Sequence, residues 1–200
     1  MARTRAADFE DKQRAILQNA ARVLAEQGMD KASMAQIAAQ AGVSKALLYH
    51  YYASKDALIF DIIRSHLEEL VMAVEGADDP ALEPRARLRA LVGAVLENYR
   101  GADDTHKVQL NGTATLPEAE RAELLAIERR IVRCFSRIIP LLRPDLEPRL
   151  VMPVTMSLFG MMNWVYMWFK DGGPVTREDY AELATTLVLD GLGGVSAAAP

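Results

Sequence analysis

Apolar residues recur three and four positions apart along most of this chain, the spacing that places them on one face of an α-helix. Glycine and proline interrupt the pattern, chiefly at residues 76–80, 83–84 and 172–174. No stretch alternates apolar and polar residues as a β-strand does. The chain is therefore predicted to be all-α, with about nine helices and a disordered tail at residues 196–200. The predicted helices span residues 8–27, two short segments within 33–52, and then 55–75, 85–99, 106–111, 118–139, 147–169 and 177–192.

The segment 33–52 carries the most specific local pattern. Ser33, followed three residues later by Gln36, is a capping-box pattern and predicts the start of a helix. Gly42 suits a tight turn, and Ser44 suits the amino-terminal cap of a second helix. Two short helices joined in this way indicate a helix-turn-helix, a motif that places its second helix in the major groove of DNA.

The outward face of this second helix suits contact with a duplex. If Leu48 points inward, Ala46 and His50 point away from the core. The small Ala46 permits close approach, while Lys45 suits a guanine edge or a phosphate and Leu47 suits a thymine methyl group. Side chains suited to phosphate oxygens are Tyr49, His50, Tyr51 and Lys55. Taken singly, each tyrosine also fits a core position and Lys45 also fits a solvated helix, but the whole run favours DNA binding.

The distribution of charge agrees with that interpretation. The chain has a formal net charge of −4, which by itself is unfavourable for binding DNA. Residues 1–55, however, contain 8 basic and 5 acidic side chains, whereas the remainder contains 15 basic and 22 acidic ones. The basic excess therefore coincides with the predicted helix-turn-helix, and the acidic remainder would help to orient the protein as it approaches DNA.

The amino-terminal third of the chain resembles the tetracycline-repressor (TetR/AcrR) family. The matching residues are Gly28, Ser33, Met34, Ile37, Ala38, Ala41, Gly42, Val43, Ser44, Leu48, Tyr49, Tyr51, Tyr52, Lys55 and Leu58. The resemblance implies a homodimeric, ligand-responsive transcription factor, usually a repressor. It places the DNA-facing positions at Ser33, Ser44, Lys45, Ala46, Leu47, Tyr49, His50, Tyr51 and Lys55. Two positions depart mildly from the family pattern, since threonine is usual at Ser33 and glycine or proline is common at Ala46.

The same resemblance implies a division into two domains. A three-helix DNA-binding domain is expected at residues 8–54, and a helical ligand-binding and dimerisation domain at residues 55–195. The last two helices are expected to form the homodimer interface, and a symmetric dimer would present its two reading helices about 34–36 Å apart, in successive major grooves. The helix that begins at Lys55 joins both domains, so we expect it to couple effector binding to the spacing of the reading helices.

The segment 151–169 contains 19 residues without a formal charge, close to the length that spans a bilayer. Pro153, Gly160 and Asn163 interrupt it, so we expect no membrane span, but a buried helix or an oligomer interface. Its methionines and aromatic residues also suit an apolar effector chamber, although core packing alone accounts equally well for them. The effector contacts predicted from this segment and from other helices are Tyr99, Phe135, Met156, Phe159, Asn163 and Trp164.

The carboxy-terminal half resembles a subgroup that senses acyl-coenzyme A thioesters, most closely the repressors of phenylacetate degradation, which respond to phenylacetyl-coenzyme A. The resemblance covers 153–168, Gly173, Pro174 and 189–192. Arg129 and Arg133, four residues apart with Arg137 on one helix face, suit the phosphates of coenzyme A. The alternative is that these arginines complement the helix dipole, pair with acids or face water.

Catalysis finds little support in the sequence. The three histidines are scattered, and the chain contains no HExxH, GxSxG, paired-cysteine or glycine-rich phosphate motif. Acidic pairs at 78–79 and 103–104 occupy breaks where such residues are ordinary turn formers, with a metal site as the alternative. We therefore expect neither an enzyme nor a metal or cofactor site.

The single Cys134 predicts a reducing, cytoplasmic location, and residues 1–7 lack the apolar run of a signal peptide.

These patterns predict a repressor that binds a double-stranded DNA operator and is released from it by a small-molecule effector, such as an acyl-coenzyme A thioester. A repressor responding to several drugs or to another apolar ligand, or an activator, would share the same architecture. A helical small-molecule-binding protein or enzyme that retains a vestigial helix-turn-helix is the alternative from a different functional class.

Overall fold

The computed structural model describes residues 2–195, with side chains described from residue 11 onward, so the predicted tail at 196–200 lies outside the described residues. Across this range the chain is all-helical and contains no strand, as the sequence predicts. The helices are α1 (Ala2–Gln27), α2 (Met34–Gln40), α3 (Lys45–Tyr51), α4 (Lys55–Ala77), α5 (Pro84–Asn98), α6 (Asp103–Gly112), α7 (Glu118–Ser136), α8 (Ile139–Leu142), α9 (Pro148–Asn163), α10 (Val165–Trp168) and α11 (Arg177–Leu192).

Nine helices of at least seven residues match the predicted number within the described range, and α8 and α10 are additional four-residue turns. α10 arises because the helix predicted at 147–169 is divided, whereas α8 lies almost entirely beyond the predicted end of the helix at 118–139. Pro140 has no N–H to continue the hydrogen bonds of α7, and it lies in the first turn of α8 instead. Trp164 adopts φ −82° and ψ −8° between α9 and α10, and its carbonyl accepts the N–H of Met167 at 3.1 Å, three residues on, rather than four. α1 also begins six residues earlier than predicted.

One compact unit comprises the residues up to Leu67 together with Ala102–Leu125. Its core contains Ile16 and Leu24 of α1 with Leu58 and Ile62 of α4. α6 approaches α4 closely at Gly112, where an added Cβ would lie 3.1 Å from Cγ2 of Ile59. An alanine at Gly112 would therefore require the side chain of Ile59 to shift by a few tenths of an ångström.

The second compact unit comprises Glu68–Gly101 and the residues from Ala126 onward. Leu88, Leu91, Val92, Val95 and Leu96 form the buried face of α5, which packs against α11. These units differ from the division at residue 55 that the family resemblance implies, because the first part of α4, up to Leu67, together with α6 and the start of α7, belongs with the first unit. The assignment of the functional domains to 8–54 and 55–195 stays a prediction.

A buried arginine closes the loop between α10 and α11 in this second unit. Arg177 donates two hydrogen bonds of 2.8 Å to the carboxylate of Asp171 and one of 2.9 Å to the carbonyl of Leu96. Its guanidinium also lies over the ring of Phe169, 5.0 Å from the centroid. The bidentate pair lowers the pKa of Asp171, so the loop is held by an ionised carboxylate at neutral pH.

Among the described residues, one segment is long and apolar enough to cross a membrane by length and composition, namely Pro148–Trp168, with a mean hydropathy of 1.3. Its regular part, α9, has only 16 residues, or about 24 Å of helix. Only 28% of the 18-residue apolar stretch within this segment is buried. The exposed remainder includes Met152, Met156, Trp164, Met167 and Trp168. This segment therefore presents an apolar outer face, not the fully buried core helix that the sequence also allowed.

Candidate DNA-binding surface and effector region

The helix-turn-helix has the capping interactions that its sequence predicts. The Ser33 hydroxyl accepts the N–H of Gln36 at 3.3 Å, and the Gln36 side chain in turn accepts the N–H of Ser33 at 2.9 Å. Gly42 occupies the turn with φ +65°, a conformation that favours glycine. The hydroxyl of Ser44 accepts the N–H of Leu47 at 3.1 Å and so caps α3. Both serines therefore have a local structural role, and their predicted contact with DNA stays a prediction.

α3 presents its predicted outward face to solvent. Leu48 is completely buried and is the one buried residue of this seven-residue helix. Lys45, Ala46, Tyr49 and His50 are exposed, whereas Leu47 and Tyr51 are half-buried at its flanks. The ammonium of Lys45 lies 5.8 Å from the centroid of the Tyr49 ring, so these two side chains share one surface. The inward and outward faces predicted from the helical period are thus confirmed.

Lys55 has a structural role that the sequence did not indicate. Its ammonium donates to the carbonyl of Met29 at 2.6 Å and to that of Ala32 at 3.3 Å, which ties the start of α4 to the loop before α2. An ammonium has three donors, so one remains for a phosphate oxygen. A shallow groove of about 520 Å³ brings Lys55 together with Ser33, Lys45 and Tyr49. Four of the nine predicted DNA contacts therefore line one depression, although their role at DNA stays a prediction.

A buried polar cluster behind α3 was not predicted. The hydroxyl of Tyr52 donates to Oδ2 of Asp61 at 2.8 Å, and Nε2 of Gln13 donates to the Tyr52 oxygen at 3.2 Å and to Asp61 Oδ2 at 3.1 Å. Arg64 donates to the other carboxylate oxygen at 3.0 Å. Burial and the Asp61 carboxylate raise the pKa of Tyr52, so its hydroxyl stays protonated and able to donate at neutral pH. We call these four residues the Tyr52–Asp61 cluster.

Four of the predicted effector contacts lie inside the second unit. Tyr99 of α5 is buried, and its hydroxyl donates to Oδ1 of Asn163 in α9 at 3.0 Å. Burial, followed by the charge of Glu128, raises the pKa of Tyr99, so the phenol is neutral. Phe135 of α7 and Phe159 of α9 are also buried and meet edge to face, with ring centroids 4.9 Å apart. Three helices thus bring aromatic surface and a small number of polar groups into one region.

The other four predicted effector contacts face solvent. Met156 is 49% exposed and Trp164 is 59% exposed, on the apolar outer face of α9. Arg129 and Arg133 are exposed along α7, beside Arg130, which pairs with Glu75 at 2.9 Å. The predicted set therefore divides into an inner group, with Tyr99, Phe135 and Phe159 buried and Asn163 half-buried, and a surface group, and contact of either with an effector stays a prediction. A depression of about 510 Å³ between α5 and α11 involves none of the eight residues.

Two buried histidines face each other in the first unit, between α4 and α6. The rings of His66 and His106 lie 6.1 Å apart and both are nearly inaccessible. Burial, with a smaller contribution from the charge of His106, lowers the pKa of His66 to about 4.

No group of three or more histidine, cysteine, aspartate or glutamate side chains suited to a metal ion occurs among the described residues. Cys134 is a buried thiol whose pKa is raised by burial.

Comparison with known proteins agrees with this arrangement. Residues 16–62 match the family model "Bacterial regulatory proteins, tetR family", and residues 81–192 match "Tetracyclin repressor-like, C-terminal domain". The chain is 25% identical to the transcriptional repressor KstR2 of Mycolicibacterium smegmatis over 88% of each protein. It is 34% identical to the transcriptional regulator BetI of Rhizobium meliloti, but that alignment covers 63% of this chain and 59% of BetI.

Solved structures give the same result. A TetR-family regulator from Bordetella parapertussis is 34% identical, with a TM-score of 0.84 over 93% of this chain and 98% of that one. AibR, in complex with isovaleryl coenzyme A and operator DNA, is 28% identical, with a TM-score of 0.77 over 88% and 97%. The names of these proteins do not mention phenylacetate, so that part of the resemblance stays a prediction. The helix-turn-helix, the all-helical fold and both family matches establish that this chain belongs to the TetR family of DNA-binding transcriptional regulators.

Proposed function

We propose that the protein is a homodimeric repressor that binds its operator through α3 and is released from it by a small-molecule effector. The observation that carries this proposal is the geometry of α3. A capped helix with one buried leucine turns Lys45, Ala46, Tyr49 and His50 outward together. The match to KstR2, a named repressor, supports repression.

We expect the side chains of α3 to make two kinds of contact with DNA, to base edges and to phosphates. Ala46 lets the helix approach the floor of the major groove, and Lys45 donates to a guanine edge or a phosphate. Tyr49 and His50 donate to phosphate oxygens and so fix the register of the protein on the duplex. Ser33, Ser44, Leu47, Tyr51 and Lys55 complete the proposed contact surface at the edges of α2, α3 and α4.

The apolar outer surface of the second unit supports dimerisation through the last two long helices. Met152 and Met156 of α9 and Leu183 and Leu187 of α11 are large apolar residues that are each about half exposed. Exposed apolar side chains on two adjacent helices are typical of a protein interface. A second copy would cover both helices in a four-helix interface, and two-fold symmetry would then place two α3 helices on one operator.

For the effector, we propose an acyl-coenzyme A thioester. The buried region around Tyr99, Phe135, Phe159 and Asn163 offers an apolar environment with a polar hydrogen-bonding pair, which suits an acyl chain and its thioester carbonyl. Arg129 and Arg133 would then contact the coenzyme A phosphates at the surface. The AibR structure with isovaleryl coenzyme A supports this class of ligand. Phenylacetyl-coenzyme A is the specific candidate, and an apolar drug-like ligand is the competing one.

Coupling between effector and operator would act through α4. This helix runs without a break from Lys55, beside the groove at α3, to Ala77 in the second unit. The effector must bind the released arrangement more tightly than the DNA-bound one, because equal affinity for both would shift nothing. A small displacement of α4 in each subunit would then spoil simultaneous binding of two major grooves.

The experiment that tests the proposal begins by selecting duplexes from a random pool with the purified protein. The selected duplex is titrated with the wild-type protein, followed by addition of phenylacetyl-coenzyme A, isovaleryl-coenzyme A, free coenzyme A or an apolar drug-like compound. We expect sequence-specific binding that a thioester weakens at least tenfold and free coenzyme A does not. Selection of no sequence would refute the repressor and support a vestigial helix-turn-helix. Release by an apolar compound alone would replace the thioester with the competing class of effector.

A further inference from the structure

The Tyr52–Asp61 cluster joins three helices at a point directly behind α3. Tyr52 is the carboxy-terminal cap residue of α3, Gln13 belongs to α1, and Asp61 and Arg64 belong to α4. Tyr52 and Asp61 are both more than nine-tenths buried. A buried carboxylate needs donors, and here it receives one from each of the three other side chains. The cluster therefore connects the end of the recognition helix to the two helices that support it.

α3 needs a second point of attachment because the helix is short. Seven residues make a helix about 10 Å long, and within it Leu48 is the one buried side chain. A short helix with one buried side chain and only half-buried flanks, Leu47 and Tyr51, can rotate about that central contact. Tyr52 follows Leu48 by four residues, on the same face, and its N–H donates to the Leu48 carbonyl at 2.9 Å. The two residues together fix the middle and the carboxy-terminal end of the buried side.

The hydroxyl of Tyr52 supplies what the ring cannot. Burial of an apolar ring is favourable in any orientation, since the hydrophobic effect has no direction. A hydrogen bond weakens steeply as its angle departs from linearity, so it restrains rotation as well as distance. The Tyr52 oxygen donates to Asp61 and accepts from Gln13, which restrains it from two sides. A phenylalanine would fill the same space without this orientational restraint.

We infer that Tyr52 is a positioning residue for operator recognition: its hydroxyl, held by Asp61 and Gln13, fixes the orientation in which α3 presents Lys45 and Tyr49 to DNA. Tyr52 acts from behind the helix and is not itself part of the exposed surface. The inference deepens the proposed function and rests on operator binding through α3.

The test is the substitution Tyr52→Phe, which removes one oxygen atom. The readout is the specificity ratio, the dissociation constant for a random duplex divided by that for the selected duplex at one salt concentration. Misorientation of α3 should impair the geometry of base contacts while leaving attraction to phosphates intact. We expect the ratio to fall about tenfold and the affinity for random duplex to change by less than about twofold.

A matched control is Tyr180→Phe, which removes a half-buried tyrosine hydroxyl that donates to the Met161 carbonyl at 3.2 Å in the second unit. It should leave the specificity ratio unchanged. A second variant, Gln13→Met, removes the amide donors at a half-buried position and should lower the ratio in the same direction by a smaller factor. If Tyr52→Phe fails to give a cooperatively folded dimer, the specificity ratio of Gln13→Met tests the positioning role instead.

The outcomes separate this inference from the proposed function. A ratio unchanged in Tyr52→Phe, or in Gln13→Met where that variant decides, would overturn the positioning role while operator binding by wild type still stood. An equal loss of affinity for both duplexes would also overturn it, because that result indicates general damage to the fold or dimer. If wild type selects no sequence at all, the proposed function fails first and the inference fails with it.

Discussion

The recognition helix and the buried region around Tyr99 place their polar side chains in opposite environments. α3 keeps one leucine inside and turns its polar residues to solvent, whereas α5 and α9 join the buried Tyr99 to the half-buried Asn163, and the rings of Phe135 on α7 and Phe159 on α9 pack inside the same unit. Exposed side chains contribute little to stability, so they are available for binding. Buried side chains contribute both to the stability of the fold and to any contact with a bound ligand. Substitutions should therefore damage operator binding at α3 and stability at the aromatic region, each without the other.

The largest effect is expected for Phe135→Ala. This ring is completely buried and packs edge to face on Phe159, so its removal leaves a cavity in the second unit. The free energy of unfolding should fall by about 3–5 kcal/mol in urea titrations. Operator affinity, measured where the variant is still folded, should match wild type. Glu123→Ala, at an exposed position of the same helix, is the control and should cost less than about 0.5 kcal/mol.

A pH titration of stability extends the comparison of exposed and buried side chains to the first unit, because that unit also contains a buried titratable group, His66. The pKa of His66 is lowered from 6.5 to about 4, so between these values the unfolded chain binds more protons than the folded protein. Stability should therefore fall as pH decreases through this window, by on the order of 3 kcal/mol from this residue. Urea unfolding of wild type and His66→Gln at pH 7, 5.5 and 4.5 measures the difference in slope. Parallel pH profiles would contradict the assignment.

The double substitution Lys45→Ala with Tyr49→Ala should have the reverse pattern to Phe135→Ala. Both side chains are exposed on α3, and together they should account for about a hundredfold of operator affinity. Urea unfolding should change by less than about 0.5 kcal/mol. Lys170→Ala removes one exposed positive charge from the second unit and serves as the control for net charge. Loss of both stability and binding in the double variant would break the proposed separation.

The smallest effect is expected for Tyr99→Phe. Only the hydroxyl that donates to Asn163 is removed, so the free energy of unfolding should fall by about 1 kcal/mol. Operator affinity without effector should stay at the wild-type value. If the proposed thioester site is correct, the concentration of phenylacetyl-coenzyme A needed for release should rise several-fold. An effector response equal to wild type would place the effector elsewhere in the protein.

How much could be predicted from sequence depends on how far apart the interacting residues are along the chain. The helix-turn-helix could be predicted in detail because its interactions are local. Each cap joins residues three positions apart, Ser33 with Gln36 and Ser44 with Leu47, and the turn depends on Gly42 alone. The Gln13–Asp61 and Tyr99–Asn163 hydrogen bonds join residues 48 and 64 positions apart. No local pattern specifies such partners, because they depend on how helices pack.

The same reason explains the divided set of effector residues. The apolar composition of 151–169 indicated a helix with aromatic and methionine side chains, but it did not show which face was buried. Phe159 lies inside and Met156 outside, three residues apart on α9. The period of the helix relates these positions, but only the packing of neighbouring helices fixes its rotation. For Tyr52, the sequence showed only a residue that matches the family pattern; its hydrogen bond to Asp61 depends on how α3 packs against α4.

The central claim is that the outward face of α3 meets DNA, and the methyl group of Ala46 reports on it directly. With alanine methyls isotopically labelled, the NMR resonance of Ala46 is followed as the selected duplex is added, and Ala90 of α5 serves as the internal reference. The account predicts that the Ala46 resonance shifts as the complex saturates while the Ala90 resonance stays in place. A bound duplex that leaves the Ala46 resonance unmoved would contradict it.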